Sequence, residues 1–316
     1  MKAGFGIALL LASTVSSLAT SAPQMQVNDS APCLIADVSR SGLQSVISNA
    51  KQTRGVAGHS ENQQGIAAMT GAPSDLKKAE QWFEKAARRG YPPAQVNLAT
   101  MYLQGWGVAR NDGTALYWLT LAAQQGHPVG LFDLGQLYLN GCGVRKDYAE
   151  ALRLFQEAAG KGNAAAEVNI GYMYDVGSGV PRNPAVAAEW YRKAAEAGEP
   201  AGEFNLGDLY LQGEGVPQND SSALEWFEKA AAQGHRRAQA MMGFLYAAGR
   251  GVPKDLEAAY AWTAAAQSAG EPQIQDAPSL AEIERQLSPD AIQRAKGRAQ
   301  VLAKSFKQPT TAALLY

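Results

Sequence analysis

The apolar residues between positions 94 and 106 follow a helical pattern. Leu98, Met101 and Tyr102 lie four, seven and eight residues after Ala94, so all four share one face of an amphipathic helix. Gly105 follows this face and can adopt the left-handed conformation that ends a helix. The pattern therefore predicts one helix that closes at Gly105.

A second helix is predicted directly downstream. Asn111 offers a short side-chain acceptor of the kind that caps a helix N-terminus, and Gly126 with Pro128 gives a stop signal. The apolar stripe between them consists of Ala115, Trp118, Leu119, Ala122 and Ala123. The two helices and their loop form a helical hairpin.

This hairpin pattern returns every 36 residues without insertion or deletion, which is typical of a stacked repeat array. The most regular feature is a Gly-x-Gly-Val loop. It begins at Gly105, Gly141, Gly177, Gly213 and Gly249. The N-cap position recurs in step at Asn111, Asp147, Asn183, Asn219 and Asp255. An aromatic column on the second helix, interrupted by Leu154, is predicted to be buried: Trp82, Trp118, Trp190, Trp226 and Trp262.

The repeat resembles the Sel-one-like (SEL) repeats, a subclass of the tetratricopeptide-like helical hairpins. The resemblance rests on the Gly-x-Gly-Val loop and two further motifs, and covers roughly residues 58–273. These motifs are the Leu-Gly-x-x-Tyr of Leu134, Gly135 and Tyr138 and the Trp-Phe-x-Lys-Ala-Ala of Trp226, Phe227, Lys229, Ala230 and Ala231. We predict an all-α fold, a right-handed α-solenoid of about six 36-residue helix-turn-helix repeats with a C-terminal capping helix.

The N-terminal region is predicted to direct export. Residues 1–22 hold one lysine, a short apolar run and small residues, the pattern of a secretory signal peptide with cleavage after Ala19 or Ala22. Residues 23–57 form a predicted flexible segment, with a short helix whose stripe is Leu43, Val46, Ile47 and Ala50. The mature chain is therefore expected in the periplasm or outside the cell.

The two ends of the array depart from the consensus, as end repeats do when one face has no neighbour. Residues 58–93 give a degenerate first repeat, in which Asn62 replaces the leucine and makes the first helix doubtful. Residues 274–308 predict capping helices, one opened by Ser279 with Glu282 and one by Ser288 before Pro289. Residues 309–316 are a predicted loose tail.

The composition gives no reason to expect several classes of ligand and partner. The net charge of −1 gives no reason to expect nucleic acid, and the 46% hydrophobic content suits a sizeable core without a membrane span in the mature chain. The three histidines lack ligand spacing, so His127 and His235 are expected to be solvated turn residues and no metal or cofactor is predicted.

Two chemical alternatives follow from the resemblance and from the cysteines. Cysteine-rich relatives are associated with penicillin binding and weak β-lactamase activity, and Ser74 to Lys77 and Ser48 to Lys51 both spell Ser-x-x-Lys. The partner motifs of such enzymes are missing, which favours a chance match. Cys33 and Cys142 are the only cysteines and can form one disulfide in an oxidising compartment, although spacing does not show that they meet.

The remaining candidate site is a binding surface on the first helix of each repeat. By analogy with tetratricopeptide relatives, positions outside the apolar stripes line the concave side, where a peptide or partner helix binds, although a plain solvated face explains the polar positions equally well. Asp133 occupies one of these positions. The partner-binding candidates are Asn97, Gln136, Asn169, Tyr172, Val176, Asn205, Asp208, Met241 and Phe244. Met241 and Phe244 could instead receive the C-terminal helix.

The sequence thus predicts an exported interaction scaffold or regulator, not an enzyme, that binds a protein or peptide on its concave face. Partners implied by the resemblance include an envelope assembly machine, a membrane sensor protein or a host protein. The alternatives are a cell-wall-active enzyme, such as a weak β-lactamase or peptidoglycan hydrolase, and a secreted host-interaction factor.

Overall fold

A computed structural model describes residues 57–71, 75–268, 270 and 277–305. These residues form fourteen helices, and no strand occurs among them. The helices are α1 (His59–Thr70), α2 (Leu76–Arg88), α3 (Pro92–Gln104), α4 (Asp112–Gln124), α5 (Pro128–Asn140), α6 (Tyr148–Ala159), α7 (Ala164–Val176), α8 (Pro184–Glu196), α9 (Pro200–Gln212), α10 (Asp220–Ala232), α11 (Arg236–Ala248), α12 (Leu256–Ser268), α13 (Leu280–Glu284) and α14 (Pro289–Ser305).

The helices pair into consecutive hairpins, which confirms the predicted all-helical repeat architecture of an α-solenoid. The chain divides into two compact units whose boundary falls inside α9, between Leu206 and Gly207. In the first unit, α1 to α8 pack each on the next, and one hydrophobic core runs from Met69 to Met173. In the second unit, α10 to α12 pack in the same way, and α14 packs against α12.

In most hairpins a small residue of the first helix faces a larger residue of the second. A Cβ atom added to Gly135 of α5 would lie 2.7 Å from the ring of Phe155 in α6, and one added to Gly171 would lie 2.6 Å from Tyr191. Both rings are almost completely buried. Where the second helix carries the smaller Leu119, the facing position is Ala99. Pairing a small with a large side chain fits the dense packing of protein interiors, although Gly243 faces the smaller Thr263 in the last repeat.

The predicted helix ends are confirmed. Gly105, Gly141, Gly177 and Gly249 end their helices with positive φ, between 68° and 77°. Each loop is then closed by a backbone hydrogen bond, for example from Asn111 N–H to the carbonyl oxygen of Tyr102 at 2.9 Å. The following helix starts at a side-chain cap in every repeat, namely Asp75, Asn111, Asp147, Asn183, Asn219 and Asp255.

The predicted burial of the tryptophan column is wrong for several repeats. Trp118 is buried, but Trp190 and Trp226 are only half-buried. The Nζ atom of Lys193 lies 4.0 Å from the ring centroid of Trp190, and that of Lys229 lies 3.8 Å from the ring centroid of Trp226. The fully buried column is one residue further along: Phe83, Leu119, Phe155, Tyr191 and Phe227. An amphipathic stripe is wide enough to hold both columns, so helical periodicity alone does not decide which of them reaches the core.

The doubtful first helix of the first repeat is present as α1. Its register is shifted, because Gly65 rather than the expected position faces Phe83, where an added Cβ would meet the ring at 2.5 Å. Asn62 is buried and hydrogen-bonded to Asn97 of the second repeat. Because of this shift Asn62 no longer occupies the leucine position, and its buried side chain has a polar partner in the next repeat.

The C-terminal helices cap the last repeat as predicted. Ser279 and Glu282 make a reciprocal capping box at α13, and Ser288 caps α14. Ala295 of α14 joins a small apolar core with Tyr260 of α12 and Ile283 of α13. Arg294 forms a salt bridge with Glu257 of α12 at 2.5 Å.

Several predictions fall outside the described residues. These are the signal peptide, the segment before residue 57 with its short helix, Cys33, Ser48, Ser74 and the tail from residue 306. Among the helices that the structure does describe, none has the length and apolar character needed to cross a membrane.

Candidate interaction face

The candidate partner-binding residues lie on the side of each first helix that is turned away from the second helices. In α5, Gly130 approaches Ala122 of α4 and Gly135 approaches Phe155 of α6. A helix turns by about 100° per residue, so Asp133 and Gln136 point to the opposite side. We call this side the inner face. In α5 it consists of Val129, Asp133, Gln136 and Asn140, with Phe132 at its edge, where the ring centroid lies 5.8 Å from that of Phe155 in α6. In the other first helices it consists of the equivalent positions.

The inner face of α3 and α5 is largely buried. Asn97 of α3 is fully buried and its Nδ2 donates a hydrogen bond to Oδ1 of Asn62 at 3.0 Å. Gln136 of α5 is buried too, and its Nε2 donates to Oδ1 of Asn169 in α7 at 3.2 Å. These candidate residues therefore link successive repeats, and a partner would reach Asn97 and Gln136 only if their surroundings opened.

Asp133 is the least satisfied polar group on this face. Its side chain is 1% exposed, and neither carboxyl oxygen has a hydrogen-bond partner. Burial raises the pKa of the Asp133 carboxyl to about 8, because the charged form is poorly solvated there. Gln136 Oε1 is also buried without a partner. A buried polar group without a partner is costly, which makes this spot unlike the rest of the core.

The inner face of α7 is open. Tyr172 is half-buried and Val176 is 41% exposed, and the two lie one helical turn apart on the same side. Partial burial, followed by the nearby Asp175 and Tyr148, raises the pKa of the Tyr172 phenol, which stays neutral at physiological pH. Tyr148 is 37% exposed and packs against Gly179 in the loop after α7. Apolar and aromatic surface is thus accessible at this end of α7.

The remaining candidate partner-binding residues lie on α9 and α11. Asn205 of α9 is half-buried in the first unit. In the second unit, Asp208 accepts a hydrogen bond from Gln212 at 2.9 Å, Met241 is buried and Phe244 is half-buried. The apolar core beneath α14 includes Ala247 and Tyr246 of α11. None of these observations tests partner binding, so these residues remain predictions.

The turn histidines are not the solvated residues that the sequence suggested. Nδ1 of His127 accepts the backbone N–H of Gly130 at 3.3 Å, and Nδ1 of His235 accepts that of Ala238 at 3.2 Å, so both are helix N-caps. Burial lowers the pKa of both imidazoles to about 4. The sequence contained a sign of this role, because Asn163, a typical N-cap residue, occupies the same repeat position as the two histidines and caps α7.

Cys142 lies in the loop directly after α5. It is 3% exposed, packs in the main apolar core and is disulfide-bonded. The chain contains one other cysteine, Cys33, which lies outside the described residues.

Sequence reasoning missed the burial of α5 on all sides, although a signal was present. A helix that is apolar around its whole circumference is usually buried. In α5 the apolar residues are Val129, Leu131, Phe132, Leu134, Leu137 and Leu139.

Helical hairpins of 36 residues, a left-handed glycine after each first helix and a small residue facing a large one define the class of tetratricopeptide-like α-solenoids. Within that class, the family profile described as Sel1 repeat matches residues 61–91, 92–127, 128–163, 164–199, 200–235 and 236–270. The chain therefore belongs to the Sel1 repeat family, whose members commonly act as scaffolds for protein–protein interaction.

One solved structure supports this assignment, and two others are more distantly similar. A Sel1 repeat protein from Oxalobacter formigenes is 33% identical, with 72% of this chain and 94% of that chain covered and a TM-score of 0.65. An immunity protein from Pseudomonas aeruginosa, PA5088, is 18% identical over 80% of this chain and 84% of its own, with a TM-score of 0.48. A protective antigen of uropathogenic Escherichia coli, c5321, is 24% identical over 85% and 73%, with a TM-score of 0.41. No curated protein matches the chain.

Proposed function

We propose that this Sel1 repeat protein is an exported scaffold that binds a partner protein or peptide through the inner face of α7. The observation that carries the proposal is the accessible pair of Tyr172 and Val176 in the middle of the array. Buried aromatic anchors supply much of the binding energy in protein interfaces, while the surrounding polar contacts contribute little. Tyr172 is therefore the expected anchor.

The surroundings of Tyr172 favour a partner segment with an apolar side chain flanked by hydrogen-bonding groups. Asn169 lies on the same face three residues earlier, and its Oδ1 already accepts a hydrogen bond from Gln136. Tyr148 adds a second accessible ring near the end of α7. An extended peptide or an amphipathic helix with one aromatic or aliphatic anchor matches this surface.

Affinity capture tests the proposal. The mature chain is used as bait on native envelope extracts, captured proteins are identified by mass spectrometry, and the affinity of the recovered partner is measured. Tyr172→Ala should weaken binding by about 2 kcal/mol, the magnitude of an interface hot spot. Tyr117→Ala is the matched control, since Tyr117 is an exposed tyrosine, 57% accessible, on α4 of the same unit.

Equal affinities for Tyr172→Ala and the parent would remove α7 from the binding site. If Trp106→Ala, in the Gly-x-Gly loop after α3, abolished capture at the same time, the loops would become the interaction edge. A melting temperature close to that of the parent is required of every variant, so that a lost fold is not mistaken for lost binding.

Export is tested separately. The intact mass of protein recovered from the periplasm or the medium should correspond to a chain beginning near Thr20 or Pro23. Recovery of protein that still begins at Met1 from the cytoplasm would contradict this part of the proposal. Hydrolysis assays with nitrocefin and with peptidoglycan test the predicted alternative of a cell-wall-active enzyme.

A further inference from the structure

The solvent-facing side of α4 carries no charged residue. It lies opposite the buried stripe of that helix, and we call it the outer strip. The outer strip consists of Gly113, Tyr117, Thr120, Leu121 and Gln124. Tyr117 is 57% exposed, which makes it the most exposed aromatic side chain in the part of the chain that the structure describes. The exposed side of a surface helix is normally charged or polar, so α4 is unusual.

The following second helices have the expected charges at the same places. At the positions of Tyr117 and Leu121, the helices α6, α8 and α10 each carry two residues of opposite charge. These are Arg153 and Glu157, Glu189 and Lys193, and Glu225 and Lys229. The repeat framework therefore accepts charges here, and α4 has an aromatic and an aliphatic residue instead.

The outer strip is continuous with the apolar interior. The ring of Tyr117 meets that of Trp118 edge to face, with the centroids 5.0 Å apart. Leu116 and Leu121 are half-buried and pack against the main core of the first unit. Aromatic surface without charges and with a charged surround is the composition found at the centre of protein interfaces.

A comparable face elsewhere in the chain is covered by a helix. Ala261 and Ala265 of α12 hold the positions of Tyr117 and Leu121, and each is 2% exposed. The helix α14 packs against α12, and its Arg294 forms a salt bridge with that helix. A second helix with an uncharged outer side can thus receive another helix in this fold.

The two helices that flank α4 in the stack carry opposite net charge. The helix α2 has four basic and two acidic residues, whereas α6 has two acidic residues and one basic residue. Arg88 in the last turn of α2 is 70% exposed, and Glu157 in the last turn of α6 is 42% exposed. Their present partners, Glu84 and Arg153, belong to surface ion pairs, which contribute little and can be exchanged.

This distribution of charge is complementary to itself. A two-fold axis parallel to α4 lays the outer strips of two copies on each other and brings α2 of one copy opposite α6 of its partner. The positive helix then faces the negative one on both sides of the strip. A two-fold axis running across α4 would instead place α2 against α2, with like charges opposed.

The surface is large enough for a specific contact. A helix of 13 residues is about 20 Å long, and neighbouring helices lie about 10 Å apart. The three helices therefore present about 600 Å² per copy, or about 1,200 Å² for two copies, near the lower limit of stable interfaces. A dissociation constant in the micromolar range is expected.

We propose that this chain forms a two-fold symmetric dimer in which the outer strips of α4 pack together and α2 of each copy faces α6 of the other. The contact uses second helices, whereas Tyr172 lies on a first helix, so each copy keeps its inner face. The dimer presents two partner sites, and in that clause alone it rests on the function proposed above.

Sedimentation velocity of the mature chain tests self-association. Between about 1 and about 200 µM, the mass should rise from that of one chain to that of two. Tyr117→Glu combined with Leu121→Lys introduces the pair that α8 already has and that supports a helix, so the fold should be retained. This variant should raise the dissociation constant about tenfold or more. Glu189→Gln on α8 is the control and should leave it unchanged.

A charge exchange tests the orientation of the two copies. Arg88→Glu should weaken the dimer about threefold or more, because α2 then repels the acidic α6 of the partner. Adding Glu157→Lys should return the dissociation constant to within about twofold of the parent value. If the added change gives no recovery, α2 does not face α6 and the proposed arrangement is overturned.

A parent chain that stays a monomer over the whole range would overturn the proposal, even if another protein were captured at the outer strip. A dimer that is equally strong in the variant of Tyr117 and Leu121 would do the same. If the dimer is found but Tyr172→Ala leaves capture intact, the proposed function fails alone. If capture depends on Tyr172 in a chain that never dimerises, this inference fails alone.

The two tests do not interfere with each other. Partner affinity is measured at nanomolar concentrations of the chain, at which a micromolar dimer is dissociated. Tyr117→Ala therefore remains a valid control for Tyr172→Ala in that measurement.

Discussion

The helices α5 and α7 occupy equivalent places in successive repeats, yet they differ in what their inner faces do. Both have 13 residues, a side-chain N-cap and a left-handed glycine at the end. The inner face of α5 carries Val129 and Phe132 around a buried carboxyl, whereas that of α7 presents Tyr172 and Val176 to solvent. A repeat framework therefore fixes where a helix lies, but it does not fix whether the inner face of that helix is core or surface.

The largest effect is expected in the core that both hairpins share. Phe155→Ala removes the ring that packs against Gly135 of α5 and should lower the free energy of unfolding by about 3–5 kcal/mol, measured by chemical denaturation. Trp190→Ala in the next repeat is the control, because that ring is half-buried under Lys193. Its cost should be less than half as large, and a reversal of this order would show that the core column has been assigned incorrectly.

The buried carboxyl of α5 should make stability fall as the pH rises. The pKa of Asp133 is raised from 3.8 to about 8, so the folded state holds a proton that the unfolded state releases, and the loss runs from about pH 4 to about pH 8. Its slope is at most about 1.4 kcal/mol per pH unit. Denaturation at pH 6.5 and pH 8 should show the loss in the parent and a smaller one in Asp133→Asn.

Asn169→Asp is the matched change on the accessible face of α7. It should add little pH dependence over the same interval, because its carboxylate can remain hydrated. If the parent and Asp133→Asn have the same slope between pH 6.5 and pH 8, the carboxyl is ionised in the folded state and is not as enclosed as described.

The N-caps of the two helices should respond differently to acid. His127 caps α5 with a neutral imidazole whose pKa is lowered to about 4, so the unfolded state takes up a proton first and stability is lost as the pH falls from about 6.5 to about 4. Asn163, the cap of α7, does not titrate. His127→Asn should therefore reduce the loss between pH 6.5 and pH 5, by at most about 1.4 kcal/mol per pH unit.

His235 remains in that variant and retains its own share of the acid sensitivity. The double variant with His235→Asn should be flatter than either single one. If the parent, the two single variants and the double variant all lose the same stability as the pH falls, groups other than these histidines control acid unfolding.

The smallest effect concerns the caps of the second helices. Asp147 accepts the N–H groups of Ala149 and Glu150 at the start of α6, and Asn183 accepts that of Val186 at the start of α8. Replacement of either by alanine should cost about 1 kcal/mol, measured by thermal unfolding. Costs near zero for both would show that these loops are held by their backbone hydrogen bonds instead.

Much of this fold could be predicted from the sequence because its signals are local. Gly141 and Asp147 mark the end of one helix and the start of the next by their backbone and side-chain chemistry alone, and the structure confirms both. The choice between Trp226 and Phe227 as the core residue depends on how two helices rotate against each other. That rotation is a tertiary property, and a single helix does not encode it.

The candidate face was predictable only in part, for the same reason. The periodicity placed Asn97, Gln136 and Tyr172 on one side of their helices, and they do share the inner face. It did not distinguish Gln136, buried and bonded to Asn169, from Tyr172, which is accessible. Accessibility depends on what covers each helix, and sequence spacing within the repeat does not contain that information.

Footprinting of the inner face with and without the captured partner tests the central claim most directly. The claim is that the partner binds the accessible side of α7, so labelling of Tyr172 should fall strongly on binding, while labelling of Tyr117 on α4 stays constant. If Tyr172 remains as reactive in the complex as in the free protein and Trp106 becomes protected instead, the inner face of α7 is not the binding site.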